Sequence, residues 1–184
     1  MVHRHAEIQV RRFRADDLTT ATESFSVIGK TATLFQRYLA EQKERRRTVL
    51  LGLIDGEFAG YVTVNWQPTY APLAAAQIPE LQDLNVLPTL RRRGIGTALI
   101  RAAEFEAKAR SAAVGIAVGL HPGYNAAQRL YVQLGYVPDG NGITVSERTV
   151  SEAQTITLDD NVVLHFEKTL ASRPPGPPPV AKLR

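Results

Sequence analysis

Alternating and continuous apolar stretches predict seven strands along the chain. In the first, Ile8 and Val10 share one face and Gln9 and Arg11 the other, which is the period of a half-buried strand. The pair Asp55-Gly56 is typical of a two-residue hairpin turn and separates the second strand from the third. We predict strands at 7–13, 48–54, 57–66, 81–87 and 114–120, one starting at 136–137, and one at 162–168.

Apolar residues at helical spacing predict four helices among these strands. The clearest spans 94–110, where Ile95, Leu99 and Ala103 form one apolar stripe. Gly135 follows a shorter helix and suits the position just after its end. The predicted helices are 18–28, 34–47, 94–110 and 125–134.

The order of these elements predicts an α/β fold, a mixed sheet with helices packed on it. A stretch with three prolines, 68–79, is predicted to be a loop or a short irregular helix, and 139–142 a turn. Five prolines and a glycine fill 172–179, which is typical of a disordered or polyproline tail. We therefore predict one domain over 1–171 and a tail over 172–184.

Composition excludes several classes of protein. Of 184 residues, 44% are hydrophobic and 22% charged, as in ordinary globular domains. The absence of cysteine excludes disulfides, thiolate metal ligands and a cysteine nucleophile, and the four histidines are too scattered to suggest a metal site. No stretch approaches the about 20 apolar residues of a membrane span, and no signal-peptide region opens the chain. We expect a cytoplasmic protein with no membrane partner.

The net charge of +4 is partly an effect of the C-terminal segment. Arg173, Lys182 and Arg184 stand in the last twelve positions, where there is no acid, so the rest of the chain is nearly neutral. The arginines at 45–47 suit the negative end of a helix dipole, although a functional basic patch is the alternative. A nucleic-acid partner is therefore not expected.

A glycine-rich turn joins a predicted strand to a predicted helix within 84–97. Helix N-termini expose unpaired N–H groups and the positive end of the dipole. Gly94 and Gly96 would let an anion approach this backbone closely, and the arginines at 91–93 add positive charge. The pattern lacks the Gly-Lys-Ser/Thr of a P-loop and the third glycine of a Rossmann fingerprint. It suits a pyrophosphate; the alternative is a helix that merely begins tightly packed on a strand.

Two blocks, in order, resemble motifs of one enzyme family. Arg91-x-x-Gly94-x-Gly96, after a strand ending Leu-x-Val, resembles the acetyl-CoA loop of the GCN5-related N-acetyltransferases (GNAT). The segment 125–136 is similar to the late helix of that family, Ala-x-x-Leu-Tyr followed by a glycine and an aromatic residue. The opening at 11–17 fits more loosely. The resemblance covers residues 6–170.

The resemblance implies a mixed, mostly antiparallel central sheet with helices on both faces, whose fourth and fifth strands splay apart in a V. The pantetheine arm of acetyl-CoA would lie in that opening, and no metal is implied. Asn125 stands one position later than the asparagine of the family and would reach pantetheine only after a local shift. The expected cofactor-binding residues are Leu84, Asn85, Val86, Arg91, Arg92, Arg93, Gly94, Ile95, Gly96, Thr97 and Asn125.

The implied chemistry is direct attack by an amine on the acetyl thioester, which needs a base for the amine and an acid for the leaving thiolate. Tyr131 aligns with the acid of the family, and the ordinary phenol pKa of about 10 suits that role; the alternative is a core aromatic residue. Glu80, eleven positions before Arg91, matches the general base of histone-acetylating members. It could instead be a solvated charge or attract a cationic substrate. Asp83 is the competing base, although alternation points it to the opposite face.

Acids beside aromatic residues suit a cationic acceptor. We expect a small-molecule amine: a polyamine, an amino sugar such as an aminoglycoside-type antibiotic, which would imply antibiotic resistance, or an amino-acid derivative. The alternatives are a protein N-terminus or lysine as acceptor, and a non-catalytic acetyl-CoA sensor. Dimers are common in the family, so a homodimer is a further expectation. The candidate acceptor-binding residues are Trp66, Tyr70, Asp83, His121 and Asp139, with Asp159 or Asp160 beside them.

Overall fold

One sheet of eight strands organises the computed structural model, which describes residues 7–170. Its strands are β1 (Ile8–Arg12), β2 (Arg47–Ile54), β3 (Glu57–Asn65), β4 (Glu80–Val86), β5 (Ala113–Gly119), β6 (Val137–Val145), β7 (Arg148–Thr149) and β8 (Val162–Thr169). They lie in the order β1-β2-β3-β4-β5-β8-β6-β7. The short β7 is the one strand that the apolar pattern did not predict, because two exposed residues carry no alternation.

Helices cover both faces of this sheet. Within 7–170 they are α1 (Leu18–Phe25), α2 (Ala32–Lys43), α3 (Ala71–Ala75), α4 (Ile95–Lys108) and α5 (Asn125–Gln133). Strand β2 is buried on both sides, which explains its continuous apolar run. Leu50 packs in the cluster with α4, whereas Leu51 packs with the aromatic residues of α1 and α2. None of the helices in the described part of the chain has the length and apolar character needed to cross a bilayer.

The sheet divides between β4 and β5. These strands are the parallel pair of an otherwise antiparallel sheet, and they pair only at Glu80 with Gly115 and Leu81 with Ile116. Beyond Leu81, β4 continues along β3 while β5 continues along β8. The two strands therefore separate and leave an opening, which confirms the predicted fold class and its splayed fourth and fifth strands.

A bulge distorts β4 where it borders this opening. Tyr61 pairs with Asn85 and Thr63 with Gln82, so β4 carries one residue more than β3 between these two pairs. Asp83 lies in this extra length with a φ of 52°, a left-handed conformation that is uncommon for residues with a side chain. The bulge turns the side chains of β4 out of strict alternation.

One predicted turn proves to be wrong. Residues 139–142 lie inside β6, which pairs with β8 at Pro138 and resumes at Ile143. The glycines have positive φ, and Asp139 accepts hydrogen bonds from the backbone and side chain of Asn141. Both flanks still pair with β8, so these four residues form an enlarged bulge opposite His165 of β8 and not a turn between two strands. The predicted tail, 172–184, lies outside the described residues.

Candidate active site

A cleft of about 540 Å³ opens where β4 and β5 separate. Its walls come from β4, β5, α5, β8 and the turn between β6 and β7. Both residues that the sequence suggested as catalytic, Tyr131 and Glu80, lie on these walls. The other residues lining the cleft are Lys30, Leu81, Gln82, Asp83, Leu84, Asn85, Ala117, Gly119, Tyr124, Ala127, Ser146, Glu147, Asn161, Val163 and His165.

Tyr131 lies on the inner face of α5. Its side chain packs into the core with Tyr136, their ring centroids 6.0 Å apart, and it is 5% exposed. Burial raises the pKa of Tyr131 well above that of a free phenol. Its hydroxyl therefore keeps its proton at neutral pH and can donate it to an anion in the cleft.

Glu80 is the first residue of β4 and is 4% exposed. Gln82 donates a hydrogen bond to Glu80 Oε2 at 2.7 Å, and Gln82 in turn accepts one from Arg47. Burial raises the pKa of Glu80 to about 7, since a carboxylate in an apolar surrounding loses its hydration. A group with this pKa can take up and release a proton near neutral pH, as a general base must.

His165 on β8 meets Glu80 from the opposite wall. The ring is 3% exposed, and its Nδ1 lies 3.8 Å from Glu80 Oε1. Its Nε2 lies 3.1 Å from the hydroxyl of Thr144, and Tyr70 stacks on its face. His165 stands in no motif and was not among the residues suggested for the site from the sequence. The available signal was an ionisable residue among apolar neighbours in a predicted strand, Val-Leu-His-Phe.

Asp83 also lines the cleft, but its carboxylate belongs to a hydrogen-bond network. Oδ1 accepts from Lys30 at 2.6 Å and from Asn85 at 2.7 Å, and Oδ2 accepts from Tyr38 at 2.9 Å and Tyr61 at 2.6 Å. Burial favours the neutral acid, but the bonds from Lys30 and Tyr61 outweigh it and hold the pKa of Asp83 below its ordinary value. A carboxylate so well satisfied is a poor base.

The N-terminal end of α4 fits an anion. Gly94 precedes the helix with a φ of 86°, and the first helical hydrogen bond runs from Ala98 N–H to Gly94 O. The amides of 95–97 therefore lie before the hydrogen-bonded part of the helix, with no acidic residue in the first turn. Arg92 and Arg93 are exposed beside them. This is the donor set that a pyrophosphate group requires.

Of the remaining residues suggested as cofactor-binding, Leu84 and Asn85 line the cleft, and Asn85 points its amide to Asp83. Val86 packs against the core, and its carbonyl accepts a hydrogen bond from exposed Arg91. Asn125 is exposed at the first position of α5 and is not among the residues lining the cleft.

Three residues suggested as acceptor-binding lie near the cleft but not on its walls: Tyr70, His121 and Asp139. Tyr70 is buried behind His165, and its hydroxyl donates to Asp139 at 2.7 Å. His121 accepts from the amide of Gly123 through Nδ1, and its Nε2 lies 2.8 Å from Asp160. None of these side chains lines the cleft itself.

Trp66 lies away from the cleft lining. Its indole N–H donates to Thr48 Oγ1 at 3.0 Å, and the guanidinium of Arg110 lies 4.2 Å from the ring centroid. Glu147 is the acidic residue in the cleft that sequence reasoning missed. It follows Ser146 in the turn between β6 and β7, and both have positive φ.

Two ionisable groups suited to acid–base chemistry share one cleft. The carboxyl of Glu80 and the phenol of Tyr131 lie on its walls, and the cleft lies in the gap between β4 and β5. Within residues 7–170, no three histidine or acidic side chains come together as a metal-binding group.

Comparison with known proteins gives a family. The sequence model of the Acetyltransferase (GNAT) family matches residues 11–136. No curated protein matches the chain.

Solved structures share the fold at low sequence identity. The yncA protein from Salmonella typhimurium, solved with its cofactor acetyl-CoA, aligns with a TM-score of 0.63 at 18% identity, over 91% of this chain and 96% of that one. A spermidine N-acetyltransferase SpeG chimera from Vibrio cholerae and hSSAT gives 0.65 at 14%, over 90% and 96%. The ribosomal-protein-S18-alanine N-acetyltransferase from Escherichia coli gives 0.63 at 16%, over 91% and 96%.

Proposed function

Because the chain belongs to the acetyltransferase (GNAT) family, we propose that it transfers the acetyl group of acetyl-CoA to a primary amine of a small molecule. The observation that carries the proposal is the cleft between β4 and β5, which brings Glu80 and Tyr131 together. Acetyl-CoA would supply the activated acetyl group as a thioester.

Two groups of residues are suited to the parts of acetyl-CoA. The amides of 95–97 and the exposed Arg92 and Arg93 are suited to the pyrophosphate. The cleft edge along Leu84 and Asn85, beyond the last pairing of β4 with β5, offers backbone groups to the pantetheine arm.

Glu80 would prepare the acceptor. An alkyl amine is protonated at neutral pH and cannot attack a carbonyl until it loses a proton. The carboxylate of Glu80, with a pKa of about 7, can take that proton and leave the electron pair on nitrogen.

Tyr131 would protonate the leaving group. After the new C–N bond forms and the C–S bond breaks, the thiolate needs a proton, which the phenol of Tyr131 can supply. Because burial raises the pKa of this phenol, the anion left behind must be reprotonated at once. The attacking nitrogen still carries one proton too many, and its release restores the phenol.

Charge and enclosure favour a small cationic acceptor. Glu80 and Glu147 both line the cleft, whereas the positive charge of Lys30 is neutralised by Asp83. Glu80 is also 4% exposed, so the reacting amine must enter the cleft to reach it. A polyamine, an amino sugar or an amino-acid derivative meets both conditions.

The test is thiol release from acetyl-CoA with a panel of polyamines, aminoglycosides, amino acids and short peptides. We expect release with one class of small amine and an acetylated product by mass spectrometry. Release with peptides alone would replace the proposal with a protein N-terminal or lysine acetyltransferase. No release across the panel, together with acetyl-CoA binding by calorimetry, would replace it with a non-catalytic sensor.

A further inference from the structure

The buried nitrogen of His165 that faces Glu80 has no hydrogen-bond partner. Nδ1 is fully buried and unpaired, in a residue that is 3% exposed. Burying such a nitrogen without a partner is unfavourable, and the carboxylate of Glu80 lies 3.8 Å from it. Both side chains line the same cleft.

The rest of the ring is held firmly. Thr144 is fully buried and lies 3.1 Å from Nε2, so a proton on Nε2 can be donated to its hydroxyl and leave Nδ1 as an acceptor. Tyr70 lies flat against one face of the ring and is anchored through its hydroxyl to Asp139. The ring thus keeps Nδ1 directed at Glu80 rather than turning it away.

We propose that His165 is the positioning residue of the base: Glu80 Oε1 takes the proton of the acceptor ammonium and shares it with His165 Nδ1. This inference rests on the proposed function. In the step, an N–H bond of the ammonium breaks, its electron pair stays on nitrogen, and the proton passes to the Glu80–His165 pair. Sharing the proton requires the 3.8 Å between Oε1 and Nδ1 to close to hydrogen-bond distance.

Several charged groups act on this pair. Asp139 on β6 and Glu147 in the turn after it favour the protonated form of His165, whereas burial opposes it and lowers its pKa. On the other side, Arg47 on β2 favours the carboxylate of Glu80, and Glu147 opposes it. In this proposal the pair takes up one proton jointly before it takes up a second, so that its apparent pKa values belong to both residues.

A titration by NMR tests the pair without any substrate. The ring signals of the full chain are followed against pH in the unaltered protein and in Glu80→Gln, and His165→Asn identifies the His165 signal. We expect the His165 signal to respond near pH 7, where Glu80 gains or loses its proton, and to lose that response in Glu80→Gln. The signal of His121, which is bonded to Asp160 outside the cleft, serves as the control. An identical His165 titration in both proteins would overturn the proposal.

Turnover gives the second test. In Thr144→Val, which removes the hydroxyl beside Nε2, we expect kcat to fall by about ten-fold, less than the loss of the base itself. The acidic limb of the pH profile of kcat/KM should move, while KM for acetyl-CoA stays constant. The same shift is expected in His165→Asn if that variant folds. A profile that superimposes on the unaltered one would assign His165 a packing role only. Since the NMR titration needs no turnover, failure of this proposal is distinguishable from failure of the proposed function.

Discussion

The phenol ring of Tyr70 lies on the imidazole of His165, with centroids 3.5 Å apart and planes 3° from parallel. Tyr70 is 2% exposed and bonds through its hydroxyl to Asp139. A residue so enclosed orients its neighbour and does not receive an acceptor directly. The segment 68–79 therefore affects the cleft indirectly. It holds the ring of His165, a residue of β8 that lines the cleft.

Replacing Tyr131 with phenylalanine should lower kcat by about 10²-fold, because the thiolate loses its proton donor. Affinity for acetyl-CoA should stay the same, since the ring remains in place. Initial rates of thiol release and calorimetry measure the two quantities. Tyr136→Phe is the matched control, since Tyr136 is buried beside Tyr131 but does not line the cleft. Equal rates for Tyr131→Phe and the unaltered protein would exclude the acid role.

Glu80→Gln should raise the free energy of unfolding at pH 8. Folding raises the pKa of Glu80 to about 7, so the folded protein binds this proton more tightly than the unfolded chain does. The stability from Glu80 is full below its ordinary pKa and is lost as pH rises through about 7. Removing the buried charge should therefore stabilise the protein by up to about 3 kcal/mol at pH 8 and by little at pH 4. Urea unfolding at both pH values measures this.

The same substitution should abolish most turnover, because glutamine cannot accept a proton. For the unaltered protein we expect kcat/KM to rise with pH through about 7, where Glu80 becomes ionised, and this limb should vanish in the variant. A variant that is no more stable would show that Glu80 does not carry a buried charge. A variant that is as active as the unaltered protein would show that Glu80 is not the base.

Gly94→Glu should weaken binding of acetyl-CoA by more than about 100-fold, by placing negative charge against the site for the pyrophosphate. Gly94 has a φ of 86°, so any side chain there adds strain of about 1 kcal/mol. Gly94→Ala carries the strain without the charge, since its Cβ would meet only Ile8 Cδ1 at 3.6 Å. Calorimetry that found equal losses for both variants would assign the effect to backbone strain rather than to the anion site.

Glu147→Gln should raise KM for acceptors that carry a second ammonium by about five- to tenfold, because the cleft loses a carboxylate that can pair with it. KM for acetyl-CoA and for monoamines should change little. Glu152→Gln, an exposed carboxylate outside the cleft lining, is the control. Steady-state kinetics with a diamine and a monoamine of equal length separate the outcomes. An equal change in KM for both would contradict pairing of Glu147 with the second ammonium.

Asp83→Asn should destabilise the fold by about 2 kcal/mol at pH 7, since Lys30 loses its ion pair and two tyrosines lose a charged acceptor. Because the pKa of Asp83 is depressed, its stabilisation holds above the ordinary carboxyl pKa and is lost as pH falls. The difference between the two proteins should shrink at acidic pH. Thermal unfolding across this pH range measures the difference in stability. Unchanged stability together with lost activity would indicate instead that Asp83 acts as the base.

Much of the fold follows from local pattern. The run 48–54 and the Asp55-Gly56 turn predicted β2 and β3 because burial on both faces and hairpin geometry each leave a mark in the sequence. The predicted turn at 139–142 was wrong because glycine and asparagine favour a bend equally in a turn and in a bulge. Only the pairing with β8, which is distant in sequence, distinguishes the two.

The candidate site was predictable where its residues stand in a recognisable motif. Tyr131 and the glycines of the α4 loop stand in motifs with fixed spacing, whereas His165 and Glu147 do not. These two meet Glu80 through the pairing of β8 with β5 and β6 and through the β6–β7 turn. Such contacts between segments far apart in the chain leave no periodic signal.

The point where β4 and β5 separate also divides the sheet into a half that is synthesised first and a half that is synthesised later. Strands β1 to β4 all come from residues 8–86 and pair as sequence neighbours, whereas β5 to β8 come from residues 113–169. The longest closure within the first group, between β1 and β2, spans residues 13–46, whereas that between β5 and β8 spans 120–161, and the cost of closing a loop grows with its length. We expect this half-sheet to form while the second is still emerging from the ribosome, so that the cleft comes into existence last, when the second half docks at Glu80 and Leu81.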